Sequence, residues 1–347
     1  MYSNILILTN SSGGLYGFRR ELIAKLLEVS TVSASTPDSG NVCDLEELGC
    51  SVKCTAIDRR GINPVTDLGL ILRYFRLLRR EKPDLVIYTG DVIFAKPAKE
   101  AMQKALEPVI KRNIPFAVTF GNHDDEQDMN RRQLYEFIKD MPGNLTSTVE
   151  GISGVTNFIL PVKASDGSKD AAVLYVFDSN SYSTLKHIKG YGWVKHDQVQ
   201  WYIDESKKYT EANGGTPLPA LSFFHIPLPE FHEAVKNEGS FMLGTRKEKA
   251  CSPEINTGLF AAMQEAGDVM GVFVGHDHVN DYAVSWKGIM LCYGRYTGGK
   301  TVYHDIPGGN GARIIELTEG ERQFRSWIRL KGGQVINEFT YPSEWIK

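Results

Sequence analysis

Residues 116–124 read Phe116-Ala117-Val118-Thr119-Phe120-Gly121-Asn122-His123-Asp124: an apolar, β-prone run, a glycine, then an amide, an imidazole and a carboxylate in succession. A run of that length predicts a buried strand, and the glycine lets the chain turn sharply at its end. Side chains that carry chemistry therefore stand where the backbone leaves a sheet, where several strands can present groups to one place. A strand run that ends in such a side chain recurs three times, twice with the glycine. Gly90-Asp91 follows Leu85 to Tyr88, His225 follows Leu221 to Phe224, and Gly275-His276-Asp277-His278 follows Val269 to Val274. One carboxylate, one amide and imidazoles suit divalent cations: the carboxylate can bridge two ions, imidazoles give neutral nitrogens, and the amide oxygen fills a further position. His276 and His278, two residues apart, can each reach a different ion of a pair about 3.5–4 Å apart. Any one piece alone is an ordinary turn or a core histidine. Four of them, in chain order at four strand ends, predict one shared metal site.

Working outward, the chain before residue 90 alternates strand and helix. Ile5 to Leu8, Thr31 to Ala34, Val52 to Ile57 and Leu85 to Tyr88 read as strands, with helices at Leu15 to Glu28, Val42 to Leu48 and Val65 to Arg80. Strands separated by helices imply a parallel sheet. Helices then follow at Ala98 to Lys111 and Arg131 to Lys139, on either side of the 116–120 strand. Beyond them the rhythm turns β-rich. Strands are expected at Val155 to Val162, Ala172 to Asp178, Ala220 to His225, Val269 to Val274, Val279 to Trp286, Ile289 to Tyr293, Arg313 to Thr318 and Phe324 to Leu330. Helices Asp197 to Glu211 and Glu254 to Ala266 intervene. Two packed sheets flanked by helices account for this pattern.

Bulk properties exclude several function classes. The 347 residues carry a net charge of −3, with 42% hydrophobic and 23% charged residues, so no long-range field draws nucleic acid or an anionic membrane. The basic run Arg73, Arg76, Arg79, Arg80, Lys82 has helical spacing and reads as a solvated face. Cys43, Cys50, Cys54, Cys251 and Cys292 form an odd, irregular set with no disulfide framework. The start Met1-Tyr2-Ser3-Asn4 lacks the cationic lead of a secretion signal, and nothing approaches the ~18 apolar residues of a membrane span. A reduced, soluble, cytoplasmic protein is expected, with oligomeric state left open.

Residues 83–347 resemble the calcineurin-like metallophosphoesterase superfamily, and within it the purple-acid-phosphatase-like enzymes. Besides the four strand ends, the likeness rests on His225-Ile226-Pro227-Leu228-Pro229-Glu230, on Tyr191-Gly192-Trp193 with Gln198-Val199-Gln200-Trp201, and on Tyr293-Gly294-Arg295. The resemblance implies a hydrolase acting on a small phosphorylated substrate, a phosphoester and most of all a phosphomonoester, dependent on divalent Mn, Fe or Zn, with two ions in the family. It implies that Asp91 bridges the ions, that Asn122, His225 and His276 complete one site, and that His278 belongs to the other. His123 would protonate the leaving oxygen, held by Asp124. Phe94 stands where purple acid phosphatases place a metal-bound tyrosine, so their charge-transfer colour should be absent. Arg295 is open between substrate contact and packing.

The family's opening Asp-x-His, which supplies the second metal, has no counterpart here: no histidine precedes His123. That leaves a metal-binding chain with one intact site and little catalysis as the competing expectation. Residues 1 to about 88 instead resemble the N-terminal lobe of family-4 glycosyltransferases, through Ile5-Leu6-Ile7-Leu8-Thr9-Asn10-Ser11-Ser12-Gly13-Gly14, Phe18-Arg19-Arg20-Glu21-Leu22 and Ile57-Asp58-Arg59-Arg60-Gly61. The expected fold is thus α/β: a Rossmann-type βα segment with parallel strands over 1–82, joined to a metallophosphoesterase αββα sandwich of two mixed sheets over 83–347. Gly13-Gly14 is a tight turn or a phosphate cradle. Asp58 either caps a turn or replaces the missing aspartate, with Arg60, always protonated, where the histidine would be.

Overall fold

The structure is a computed structural model and describes residues 4–8, 12–28, 31–36, 42–54, 78, 80–298 and 302–343. Two units emerge, Met1–Gly61 and Ile62–Lys347, a division that falls before the expected boundary at residues 82/83. In the first unit β1 (Asn4–Leu8), β2 (Thr31–Thr36) and β3 (Ser51–Cys54) pair in parallel in the order β1-β2-β3. The helices α1 (Ser12–Leu27) and α2 (Val42–Glu47) separate them in sequence, as the alternating pattern predicts. Ile23, Val32, Ala34, Leu45 and Cys50 form its small core. Most of the expected helix Val65 to Arg80 lies outside the described residues, as do Asp58 and Arg60.

In the second unit, β4 (Val86–Thr89) and β5 (Phe116–Thr119) pair in parallel. Between and after them run α3 (Ala98–Ile110) and α4 (Arg131–Ile138). Ala98, Met102, Leu106 and Val109 recur at helical spacing and bury one stripe of α3 against Phe116 and Val118 of β5. A seven-stranded mixed sheet comes next, built from β6 (Phe158–Lys163), β7 (Asp170–Val176), β8 (Ala220–Phe223), β9 (Met242–Leu243), β10 (Val269–Val274), β11 (Ala283–Trp286) and β12 (Ile289–Tyr293), in the order β6-β7-β8-β10-β12-β11-β9. Neighbours among β7, β8, β10 and β12 are parallel; β6, β11 and β9 add antiparallel edges.

Side-chain alternation assigns the layers. Val173 and Tyr175 of β7 face the helices α5 (His196–Ala212), α6 (Glu230–Ala234) and α7 (Leu259–Ala266), meeting Val199, Tyr202, Phe231, Phe260 and Met263. Leu174 and Val176 face the other way, onto Ala117 of β5 and onto an antiparallel meander. That meander is β13 (Gly311–Leu317), β14 (Phe324–Leu330) and β15 (Val335–Tyr341), which contributes Phe324, Phe339 and Tyr341. The order is therefore helix, sheet, sheet, helix. Each fully buried Leu, Phe or Met between the sheets contributes about 1.5–3 kcal/mol relative to exposure. In β10 the register against β8 shifts between Val269 and Gly271. An extra residue at such a bulge re-aims the side chains beyond it, so Met270 and Phe273 share one core while Val272 and Val274 fill the other.

Several expected elements are shorter than read, two of them by a late start of four residues or more. Gly258 sits at φ 83, in the left-handed region, and so the helix expected from Glu254 begins only at Leu259. The strand expected from Val279 begins at Ala283, after a turn in which Asn280 N–H donates to the Asp277 carbonyl. Strand β15 was not expected at all: Asn337, at φ 53, breaks its alternation.

Candidate metal centre

Four turns converge because their strands end side by side. Thr89 of β4 lies opposite Thr119 of β5, and Phe223 of β8 opposite Phe273 of β10. Gly275 N–H donates to the His225 carbonyl at 3.1 Å, tying the last two turns together. The approach leaves no room for a side chain at two glycines. A Cβ on Gly121 would stand 2.1 Å from Asp91 Oδ1, and one on Gly90 would stand 2.5 Å from His225 Nδ1. Asp91 and His276 themselves adopt φ 51 and φ 77, left-handed conformations uncommon outside glycine, in which Asn, Asp and His are the most frequent exceptions, and which concentrate at functional sites.

One ligand-capable atom each of Asp91, His225 and His276 lies within 4.8 Å of the others. His225 Nε2 is 3.1 Å from Asp91 Oδ2 and 3.2 Å from His276 Nδ1. His225 Nδ1 stands 2.7 Å from the Thr89 carbonyl oxygen, which can only accept, so Nδ1 carries the proton and the lone pair of Nε2 turns to the cluster. Asn122 Oδ1 and His276 Nε2 are buried and make no hydrogen bond among the described residues, and Asp91 Oδ2 has the His225 ring beside it. Leaving such a group unsatisfied costs about 1–3 kcal/mol, and a bound cation removes that cost. Oxygen and imidazole donors together fit Mn, Fe or Zn.

The charges agree. Burial alone would raise the Asp91 carboxyl, but His225 and His123 hold it well below the usual range. Burial opposes charge on His225 and is outweighed by Asp91, so its pKa is raised. Burial and the neighbouring His225 push His276 down to about 3, keeping it neutral and free to donate a lone pair. His278 is also lowered, by burial.

His123 adjoins the cluster through its N–H, which donates to Asp91 Oδ1 at 2.9 Å, and its ring packs on Phe94 at 5.1 Å. The expected hold of Asp124 on His123 is corrected. Asp124 is fully buried and accepts from the backbone N–H groups of Asp91, Ile93 and Gly121, at 2.9, 2.9 and 2.7 Å; burial and the nearby Asp91 push it up to about 6. It locks the two turns together, while Glu126 takes the His123 ring, Nδ1 to Oε2 at 2.8 Å. His278 lies outside the close trio, its Nδ1 facing the Tyr303 carbonyl at 3.1 Å. Arg295 resolves toward packing: it is fully buried, paired with Asp281, and its Nε donates to the Gly309 carbonyl at 2.9 Å. Sequence reasoning missed Glu126, Tyr182 and Tyr191. Tyr191 meets the His276 ring edge-on at 4.3 Å, and Tyr182 accepts from Asn122 Nδ2 at 3.1 Å. Glu126, three residues past His123 in the same turn, carried a local signal, and Tyr191 stood in the Tyr191-Gly192-Trp193 motif without a site role.

Two sheets between helices, with carboxylate, amide and imidazoles gathered at the strand ends, define a phosphoesterase-type metal fold. The chain belongs to the calcineurin-like phosphoesterase family, whose sequence pattern matches residues 66–280. It is 33% identical over 294 residues to the probable inactive purple acid phosphatase 14 of Arabidopsis thaliana, covering 79% of this chain and 72% of that one. Probable inactive purple acid phosphatase 29 of the same plant is 35% identical, with 77% and 72% covered. Phosphatase DCR2 of Saccharomyces cerevisiae is 34% identical over 74% of this chain, which spans about half of that protein's length (47%). A dimetal phosphatase from Danio rerio shares the fold at 12% identity, with a TM-score of 0.55 over 81% of this chain and 90% of its own. Among the described residues, no helix is long and apolar enough to cross a membrane.

Proposed function

We propose that the chain is a metal-dependent hydrolase of small phosphomonoesters, with Asp91, Asn122, His225 and His276 as ligands of one divalent cation. The observation that carries this reading is the close trio of Asp91, His225 and His276, together with two buried atoms, Asn122 Oδ1 and His276 Nε2, that have no hydrogen-bond partner among the described residues. When bound, a divalent cation supplies Lewis-acid polarisation of phosphoryl oxygens and of water. The chain's own groups do the rest. His123, partly open to solvent, stands against Asp91 and delivers a proton to the leaving oxygen while Glu126 holds its other ring nitrogen. Buried Asp124 fixes the backbone that sets the Asp91 and Asn122 turns. His278 serves at the rim of the same site.

A second reading has its own observation: no Asp-x-His precedes Asp91, and two of the similar plant proteins are called inactive. Under it the cation binds and turnover is absent. Metal content per chain, measured beside hydrolysis of p-nitrophenyl phosphate, separates the two. A hydrolase loses about 10²–10⁴-fold in rate on His123→Ala while keeping its metal. One ion per chain with no turnover above the blank selects the second reading, and no bound ion sinks both.

The cluster also predicts a proton count. Below its raised pKa His225 holds a proton on Nε2 that a cation must displace, whereas Asp91 and His276 are already deprotonated. Metal uptake at pH 6 therefore releases close to one proton, and apparent affinity climbs about tenfold per pH unit until His225 is neutral, then levels. Calorimetry in buffers of different ionisation enthalpy measures the release; none at pH 6 would remove His225 from the ligand set.

A further inference from the structure

We propose that Glu126 is a positioning residue that sets two groups at once, the His123 ring directly and the Asn122 amide through Tyr182; this rests on the metal reading of the site. A carboxylate can only accept hydrogen bonds. Its Oε2 lies 2.8 Å from His123 Nδ1, so the ring must place its proton there, which leaves Nε2 as the nitrogen available to substrate. Its Oε1 lies 2.5 Å from the Tyr182 hydroxyl, so that hydroxyl spends its only proton on Glu126. Tyr182 can then act toward Asn122 only as an acceptor. It takes an N–H from Asn122 Nδ2 at 3.1 Å, and this choice turns Asn122 Oδ1 the other way, into the buried position where it has no partner.

One donor–acceptor chain therefore fixes both a tautomer and an amide orientation. Without it the Asn122 side chain could present its NH₂, a donor, to a cation that needs an oxygen. Tyr182 is well suited to the link. Its ring stacks on Tyr191 at 6.0 Å, and Tyr191 in turn packs edge-on against His276, so the hydroxyl is held by apolar contacts independent of the hydrogen bonds. Glu126 occupies the same turn as His123, its N–H donating to the His123 carbonyl at 3.3 Å. The two carboxylates that follow His123 directly do not compete for its ring: Asp124 is turned into backbone, and Asp125 faces Arg131 and Ser181.

The test uses the full chain, first metal-free and then titrated with Mn²⁺. In metal-free protein, long-range ¹H–¹⁵N correlations of labelled histidines report the His123 tautomer; calorimetry reports Mn²⁺ affinity. Wild type should show the neutral ring protonated at Nδ1. Glu126→Ala should shift the proton to Nε2 and weaken Mn²⁺ binding about 10–100-fold, the range for losing a group that orients a ligand. Tyr182→Phe should weaken binding to a similar degree and leave the tautomer alone. A tautomer unchanged by Glu126→Ala, or wild-type Mn²⁺ affinity in both variants, would overturn the proposal. If wild type binds no Mn²⁺, the metal reading fails instead, and the tautomer alone still decides whether Glu126 positions His123.

Discussion

Asp91→Asn is expected to abolish metal binding and hydrolysis while leaving the metal-free fold as stable as wild type. The two halves of that expectation come from the two oxygens of one side chain. Oδ1 accepts the His123 N–H at 2.9 Å, a task the amide oxygen of asparagine performs as well, so the turn keeps its shape. Oδ2 faces the lone pair of His225 Nε2 at 3.1 Å. In wild type two electron-rich atoms meet there, and a proton or a cation must lie between them. In the variant an NH₂ faces the imidazole and donates to it, filling the place that the cation would take. The cluster then loses a negative ligand and gains an internal hydrogen bond, and both changes oppose metal uptake. The loss should exceed the roughly 100-fold of a supporting contact. Thermal unfolding with and without Mn²⁺ measures it. Wild type at a hundred times its dissociation constant gains about 2.7 kcal/mol, and the variant gains nothing. An equal Mn²⁺-induced stabilisation in Asp91→Asn would place the ion elsewhere and take the ligand assignment with it.

The strand ends were legible in sequence because each couples an apolar run to a ligand-type side chain, through a glycine in all but the His225 turn. That is a local pattern, and it needed no knowledge of which strands pair. The pairing order β6-β7-β8-β10-β12-β11-β9 was not legible, since it depends on contacts between residues far apart. Nor was the true partner of His123. Asp124 follows it directly and invited the inference of contact, yet in a tight turn successive side chains diverge. Its carboxylate is drawn into three backbone N–H groups instead. Glu126, three residues on, comes back to the same side, the spacing that also brings residues together on a helix face. Tyr182 gave no signal and Tyr191 only a family-like motif without a role, because both sit in an irregular stretch with no periodicity to betray a facing surface. Strand β15 was hidden by Asn337 and Glu338, polar residues at the point where its register against β14 shifts, with Glu338 held by an ion pair from Arg325.

Arg295→Met is expected to destabilise the Ile62–Lys347 unit by about 3–5 kcal/mol, the cost of stranding one member of a buried ion pair. Arg295 and Asp281 have fully buried side chains and pair directly. The guanidinium also donates to the Pro307 carbonyl at 2.5 Å and to that of Gly309, so three acceptors lose their partner together. Asp281 would retain the Thr245 N–H at 2.6 Å, a long contact from Asn337 at 3.5 Å and the nearby Arg313 guanidinium, which donates to its backbone carbonyl, and none of these replaces the direct side-chain pair. The melting temperature should fall on the order of 10 °C at this size. Adding Asp281→Asn to Arg295→Met removes the stranded charge and should return part of the loss, the non-additivity expected of direct partners. The alternative, an arginine that contacts substrate, makes the opposite forecast: unchanged stability, a raised KM, and no rescue by the second substitution. Urea unfolding of the two variants beside steady-state kinetics distinguishes them. A single variant as stable as wild type would mean that this buried pair contributes nothing, since loss of substrate contact cannot compensate a charge left in the core.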